Sequence, residues 1–423
     1  MPSGTKKVCL VTPAHLSYNP RLLKEADALH EAGYRVRVVT TQRVAALAAW
    51  DQSLMTNRSW CLETLNACPD NLVGRLTWLR AALRQRLHPQ LPWLQQPDTR
   101  FEERFWRYSP DLSRLAARKP ADLFIAHNLH GLPAAAYAAR RWQAKLGFDA
   151  EDFHRGEIAD DNAKRAPIRQ LIMAIEEKYI PRCDYITAAS DGIAEAYART
   201  LNVPKPVTIL NVFPLSERQG HTPAEELRGE RRGSGMSLYW YSIVIGADRG
   251  LDDVLEAMSL VKGPIQLHLR GKWANGYETA FLSRAQALGV RRAVHVLPSA
   301  PPGQLVERAA QHDVGLALET GLTENRRIAV TNKLLNYLLA GLAVAATDVP
   351  GQRGILEEAS GAGVLYPPGD ASSLASRLSL WQKHPNLLEA TKARSLRYGQ
   401  ERFCWDKEKP RLVKAVRAVC DSN

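Results

Sequence analysis

Lys7 to Thr40 reads KVCLVTPAHLSYNPRLLKEADALHEAGYRVRVVT. Lys7 to Thr12 is a short apolar run stopped by Pro13, the pattern of a buried parallel strand. Asn19-Pro20-Arg21 then opens a helix. Asparagine is a good N-cap, and proline has no amide hydrogen to lose at the first helical position. Leu22, Leu23, Ala26 and Leu29 recur at helical spacing, Gly33 ends the helix, and Tyr34 to Thr40 alternates as a second strand. Strand, helix and strand in that order form a β-α-β unit with its two strands parallel.

The same alternation continues along the chain. Asp122 to Ala126 reads as a strand, followed by an alanine-rich helix from Leu132 to Lys145. Phe148 to Glu151, Tyr185 to Ala189 and Val207 to Leu210 read as strands, with a helix from Pro167 to Ile180 between two of them. Residues 213–235 are rich in Ser, Gly, Pro, Glu and Arg, the composition of an exposed linker. A second series follows. Its strands are Ser237 to Tyr241, Gln266 to Leu269, Val294 to Leu297, Val314 to Leu318 and Ala343 to Ala346. Its helices are Leu251 to Leu260, Gln304 to Ala310, Lys333 to Ala340 and Ala371 to Gln382. The tail from Pro385 to Val419 is helical with a break near Trp405. The expected class is α/β, with two Rossmann-like doubly wound domains facing a cleft. The first is expected over 1–212 and the second over 236–400, with the linker at 213–235. Ligands of such sheets bind at the carboxyl ends of the strands.

The chain has 423 residues, 45% hydrophobic and 24% charged, which excludes a disordered or collagen-like polymer. Its formal charge of +12 favours an anionic partner: nucleic acid, a membrane surface or a phosphorylated ligand. Cys9, Cys61, Cys68, Cys183, Cys404 and Cys420 form no C-x-x-C pair and no zinc spacing, so reduced thiols in a cytosolic protein are expected. The polar start lacks a signal-peptide core, and Leu334 to Val349 is too short to span a bilayer. Leu72, Leu76, Leu79, Leu83 and Leu87 recur at helical spacing with Arg75, Arg80, Arg84, Arg86 and Trp78. No acidic residue falls between Asn71 and Pro97. Such a helix either lies on an anionic membrane or packs its leucines on the first domain. Packing is the preferred expectation, because leucine stripes are usually core.

No G-x-G-x-x-G follows the first strand, where the loop is Pro13 to Asn19, and no G-x-x-x-x-G-K-[ST] occurs. A nicotinamide dehydrogenase and a P-loop nucleotidase are therefore not expected. Glu319 to Gln352 reads ETGLTENRRIAVTNKLLNYLLAGLAVAATDVPGQ. Thr331 or Asn332 caps a helix whose free amides and positive dipole end attract phosphate. Lys333 adds a full charge there, although a basic residue at a helix start is otherwise unfavourable. Asn336 lies one turn further on the same face. Arg249, in the loop Gly246 to Gly250, sits just before another helix. Two cations from separate loops make a pyrophosphate clamp.

Five segments resemble the nucleotide-sugar glycosyltransferases of GT-B architecture. The similarity is closest to the large retaining group that includes bacterial polysaccharide and lipid glycosyltransferases. The opening Lys7–Thr40 stretch is similar to that family's first β-α-β, and ADLFIAHNLHGLPAAAYAARR (121–141) to a later one. GADRGLDDVLEAM (246–258) resembles its phosphate-loop region, and TNKLLNYLLAGLAVAATDVPGQ (331–352) its donor-binding helix. RFCWDKEKPRLVKAV (402–416) resembles its closing helix, which implies that 401–423 returns to the first domain. Departures are equally definite. The family's two glutamates, separated by seven residues, fall on Ile328 and Asn336, its first-loop glycine pair is absent, and Glu151 stands where it usually has a histidine.

The resemblance implies sugar transfer from a nucleoside diphosphate sugar to a glycan, lipid-linked or other hydroxyl acceptor, with retention. No metal or cofactor is implied. Arg249, Lys333 and the helix end at Asn332 would meet the departing diphosphate. Asn336 would meet the ribose, and Glu319, Glu324 or Asn325 the sugar. Glu151, Asp152 and His154 would orient the acceptor hydroxyl or take its proton, with His127 and His130 lining the cleft. Asn19 and Arg21 are read first as capping and surface residues, and second as acceptor or phosphate contacts. The expected location is cytoplasmic, with a peripheral place on the inner face of the membrane open. The alternatives are a sugar-nucleotide epimerase on the same scaffold and a non-catalytic binding protein derived from it. Nucleic acid is not an expected partner, because charge is its sole motive.

Overall fold

The computed structural model describes residues 5–87, 100–159, 162–220 and 222–421. They fall into two compact units. One holds the chain up to Ile209 together with the chain from Lys409, and the other holds Leu210–Glu408.

The first unit is built on seven strands: β1 Lys7–Val11, β2 Arg35–Gln42, β3 Cys61–Asn66, β4 Leu123–His127, β5 Lys145–Ala150, β6 Tyr185–Ala188 and β7 Val207–Thr208. Their order is β3-β2-β1-β4-β5-β6-β7, and every pairing is parallel. In β1 all residues but Lys7 are buried, as a strand covered on both faces requires. The Pro20–Glu31 helix crosses from β1 to β2. The Leu22 amide donates to the Asn19 carboxamide oxygen at 2.9 Å, and Leu22, Ala26 and Leu29 are buried. Gly33 follows with φ of 90°, a conformation that costs glycine nothing. The helix expected to run to Lys145 ends at Trp142, because Gln143 turns left-handed (φ 52°) and frees Lys145 to begin β5. β3 has no counterpart in the sequence reading. It is an edge strand whose residues are exposed or half-buried, so it lacks the apolar run that marks β1.

The second unit has six strands: β8 Met236–Ile245, β9 Ile265–Trp273, β10 Val294–Leu297, β11 Val314–Ala317, β12 Ala343–Thr347 and β13 Gly363–Tyr366. They are ordered β10-β9-β8-β11-β12-β13, again all parallel. Leu238, Trp240, Leu267, Leu269, Leu316 and Ala345 join Leu374 and Leu378 of the Ala371–Lys383 helix in one core. Both units are thus doubly wound and Rossmann-like. In each the order reverses once, between β1 and β4 and between β8 and β11, and ligands of such sheets bind at the strand ends beside the reversal.

Much of the stretch expected as an exposed linker, residues 213–235, is exposed, and it is fastened to the second unit at three points. Phe213 bridges to Cys404, the Thr222 amide donates to Glu307 at 2.9 Å, and buried Glu230 pairs with Arg270 and Arg308. Two arginines that point into the unit need a carboxylate, and a charged composition does not distinguish that duty from solvation. The closing helix, Trp405–Asp421, contains the division between the units. All six cysteines are free thiols.

A histidine cluster lies at the amino ends of β8, β9 and β11. The Ser237 hydroxyl contacts His312 Nδ1 at 2.8 Å and His268 Nδ1 at 3.0 Å, and His312 stacks on Tyr239 with ring centres 4.4 Å apart. Burial pushes His312 down to about 2, helped by the neighbouring His268, Arg270 and Arg231 charges. Burial and the His295 charge push His268 down to about 4. Both rings are neutral in the fold and take up protons on unfolding. Their stabilisation is therefore complete above the ordinary histidine value of 6.5 and is lost as pH falls from there through 4. Urea unfolding between pH 7.5 and pH 4.5 (roughly one unit above and two below that value) is expected to show this acid limb. His312→Gln, which keeps a polar partner for Ser237, is expected to flatten it.

Candidate active site

In the second unit the loop after β8 and the segments after β11 meet beside the order reversal. Asp248 and Gly250 both adopt left-handed backbone, with φ of 59° and 69°. A Cβ on Gly250 would stand 3.0 Å from the Leu318 Cβ, so the turn is closed by glycine on both conformational and steric grounds. Thr323 caps the short Glu324–Ile328 helix by accepting from the Arg326 amide at 3.3 Å. The Arg326 guanidinium reaches back to the Asp248 carbonyl at 3.2 Å and to Thr320 Oγ1 at 3.4 Å, fastening one loop to the other.

The Asn332–Ala340 helix starts beside this junction. It lies against β11 through Gly315, where a Cβ would come within 2.2 Å of the Tyr337 ring. Thr331 occupies the N-cap position and makes no side-chain cap bond among the described residues. The first-turn amides are therefore without the usual cap and suit an anion. Lys333 is half-buried, with Nζ 5.5 Å from the Trp240 ring centre and 6.0 Å from that of Tyr241. Burial lowers its pKa; Glu319 pulls it back up, and Arg249 and Arg326 push it down further. Arg249 and Arg326 thus bear on Lys333 from two further segments, with Glu319 opposing them.

Of the residues expected at the donor site, Arg249 and Glu319 lie within electrostatic range of Lys333, and Asn332 is exposed at the helix start. Arg326 was missed. Its signal was available: the Arg326-Arg327 doublet lies between a strand end and the donor-type helix. Asn325 is buried within the short helix and Glu324 is exposed. Asn336 is fully buried, and both polar atoms of its amide lack a hydrogen-bond partner among the described residues. Such groups are rare in folded proteins and each calls for a missing partner.

In the first unit the carboxyl ends of β1, β4 and β5 carry a buried ionic network. The loop after β1 is fixed by His15: its Nε2 accepts from the Arg43 and Val44 amides at 2.9 and 3.2 Å. The proton therefore sits on Nδ1, which donates to Asp51 at 3.0 Å. Asn19 both caps its helix and donates to Glu151 Oε1 at 3.0 Å. His127, the last residue of β4, is fully buried, with Nε2 2.9 Å from Glu25 and Nδ1 3.3 Å from Asp149 and 3.4 Å from Glu151. Burial favours the neutral ring, but Glu25, Asp149 and Glu151 together outweigh it and hold its pKa well above the usual range.

Arg21 does not face solvent as read. It is buried, with two nitrogens on Asp149 at 2.6 and 2.7 Å and a third on the Ile209 carbonyl at 2.6 Å. It is the second residue of the Pro20–Glu31 helix, directly after the Asn19 cap. Arg21→Ala would strand the Asp149 charge and is expected to cost about 3–5 kcal/mol of stability in urea unfolding. Glu25 and Asp149 were missed by sequence reading. Glu25, His127 and Asp149 hold ligand atoms within 4.8 Å of one another, a spacing compatible with a metal. Arg21 and the His127 imidazolium already supply positive charge against Glu25, Asp149 and Glu151, so the donor set does not call for a cation.

Glu151, just past β5, is the partly open end of this network, its side chain 26% exposed. Asp152 is half-buried, and its carbonyl accepts from the Tyr197 hydroxyl at 3.2 Å. His154 is buried, with Nδ1 2.7 Å from Glu157 and Nε2 without a partner among the described residues. Burial lowers the His154 pKa, but the Glu157, Asp152 and Glu176 charges raise it overall. His130 stacks on Phe105 with ring centres 4.1 Å apart, and burial together with the His154 charge pushes it down to about 4.

Comparison with known proteins agrees with this architecture. Residues 18–211 match the glycosyl transferase 4-like domain, and residues 238–397 match the glycosyl transferases group 1 domain. No curated protein sequence matches the chain. Among solved structures, Anabaena HepE, crystallised in complex with UDP, has a TM-score of 0.68 at 14% identity, covering 97% of this chain and 100% of its own. Sucrose-phosphate synthase from Thermosynechococcus elongatus has a TM-score of 0.71 at 14% identity, covering 98% of this chain and 99% of its own. WaaG, a glycosyltransferase involved in lipopolysaccharide biosynthesis, has a TM-score of 0.60 at 16% identity, covering 98% of this chain and 100% of its own.

Proposed function

The chain is a glycosyltransferase with a 4-like first domain and a group 1 second domain, and we propose that it takes its sugar from a nucleoside diphosphate sugar and transfers it with retention. The proposed acceptor is a hydroxyl of a glycan or a lipid-linked glycan, in the cytoplasm. One observation carries the donor half of this reading: Arg249, Lys333 and Arg326 converge at the uncapped start of the Asn332–Ala340 helix, beside the sheet reversal.

The chemistry follows from charge. Breaking the sugar–phosphate bond leaves a diphosphate, and preorganised cations lower the barrier where that charge develops. The proposal gives this task to Lys333, Arg249, Arg326 and the helix amides rather than to a metal. Asn336, one turn along, would complete its unpaired amide on the ribose hydroxyls. Glu319 and Asn325 would contact the sugar. On the first unit, Glu151 would orient the acceptor hydroxyl and take its proton, held by Asn19 and by protonated His127. Asp152, His154 and His130 would frame that group.

Asn336→Ala is expected to weaken nucleoside diphosphate binding about ten-fold. The variant should remain folded, its unfolding midpoint set by the cavity it leaves against the unpaired buried amide it removes. The test of the whole reading is a thermal-shift panel of UDP, GDP, ADP and TDP sugars. A donor at 100 times its Kd raises apparent stability by about 2.7 kcal/mol. HepE has been crystallised with UDP and with UDP-glucose, which makes UDP-glucose the first donor to try. One nucleotide class should stand out; no shift with any would contradict the reading. Product analysis with donor alone separates transfer from epimerisation.

A further inference from the structure

The Leu72–Leu87 helix carries its leucines on the outside. Leu72, Val73, Leu76, Trp78, Leu79, Leu83 and Leu87 are between 42% and 77% exposed. The expectation that this stripe is core is therefore reversed, and the reason lies on the opposite face. Gly74 and Ala81 are the buried positions, two helical turns apart. A Cβ on Gly74 would fall 1.8 Å from the Cys68 carbonyl oxygen, so the helix is seated there by glycine. Ala81 packs with Ala67 and Tyr108. At about 100° per residue these small residues stand roughly opposite Leu72, Leu76, Leu79 and Leu83.

The charges divide in the same way. Arg84 turns inward, 2.6 Å from Glu103 and 2.6 Å from Asp111. Arg75, Arg80 and Arg86 are exposed, flank the leucine stripe, and have no acidic residue on the helix to balance them. From this geometry we infer that the Leu72–Leu87 face docks on an anionic lipid bilayer, lying in its surface. Leucines enter the acyl boundary while arginines reach the headgroup phosphates. A second copy fits poorly, because self-pairing would bring uncompensated arginines together. The helix is 16 residues long and interrupted by arginines, and none of the described helices is long and apolar enough to cross a membrane. The inference stands apart from the donor reading and deepens its acceptor half: a docked enzyme is suited to a lipid-linked hydroxyl.

Flotation of the full chain with phosphatidylcholine vesicles, with and without phosphatidylglycerol, tests it. The chain should float with the anionic vesicles only. Replacing Arg75, Arg80 and Arg86 by Gln should weaken binding about a hundred-fold, roughly five-fold for each arginine. Replacing Leu76, Leu79 and Leu83 by Ser should abolish flotation while leaving the unfolding midpoint in place, since those side chains are exposed. Failure to float with either vesicle overturns the inference, as does equal flotation with both. Self-association that the leucine variant removes, without vesicle binding, also overturns it and makes a second copy the occupant. Flotation that persists when no sugar nucleotide binds would leave this surface standing and remove the donor reading alone.

Discussion

Lys333→Ala is expected to lower kcat by about 10²–10³ while leaving the chain folded. The figure follows from the loss of one preorganised donor at a developing negative charge. Lys333 stands at the start of its helix with no ordinary reason to be there, since a cation opposes the positive end of the dipole. It is half-buried against Trp240 and Tyr241, and Arg249 and Arg326 repel it. On the proposed reading a diphosphate adds the counter-charge that Glu319 alone supplies in the free chain. Arg249→Ala should weaken nucleoside diphosphate binding in a calorimetric titration. The double variant should lose less than the product of the two, because neighbouring charges act on one ligand. The sign of the Lys333 shift adds a pH signature. Its pKa lies below the ordinary lysine value of 10.5, so free-enzyme affinity for the diphosphate should begin to fall at lower pH than an unperturbed lysine would allow. Lys333→Ala with unchanged affinity would remove the clamp.

The second large effect is expected at Glu151. Glu151→Gln keeps an oxygen to accept from Asn19 but removes the charge, and should cost about 10²–10⁴ in kcat if the carboxylate takes the acceptor proton. Donor binding should be unchanged, because the proposed donor residues belong to the other unit. His127→Gln should behave differently. It takes positive charge from among Glu25, Asp149 and Glu151, and its main effect should be about 3–5 kcal/mol of lost stability. A kcat loss at His127 with stability intact would make it a participant rather than a support.

Much of this was legible in the residues. The Lys7–Thr40 unit and the Asn19 cap depend on neighbours along the chain, and local rules place them well. The approach of Arg249 to Lys333 also followed, because in a doubly wound sheet the loops after β8 and β11 must meet. What escaped depends on contacts far apart in sequence. Arg21 reads as a surface residue because its partners, Asp149 and Ile209, lie well over a hundred positions away. Glu25 is one turn along a helix and becomes part of the network only when β4 brings His127 beside it. The leucine stripe teaches a related lesson. Periodicity tells which residues share a face, and not whether that face points inward. At Leu72–Leu87 the answer was held by Gly74 and its seat on Cys68.

The most direct test of the donor site is a crystal structure of the chain with whichever nucleoside diphosphate gives the largest thermal shift. Diphosphate oxygens are expected within hydrogen-bonding distance of Lys333 Nζ and of the amides at the start of the Asn332–Ala340 helix, with Arg249 or Arg326 on the same group. A nucleotide bound elsewhere, at the amino ends of β8 and β9 beside His268 and His312 for instance, would contradict it.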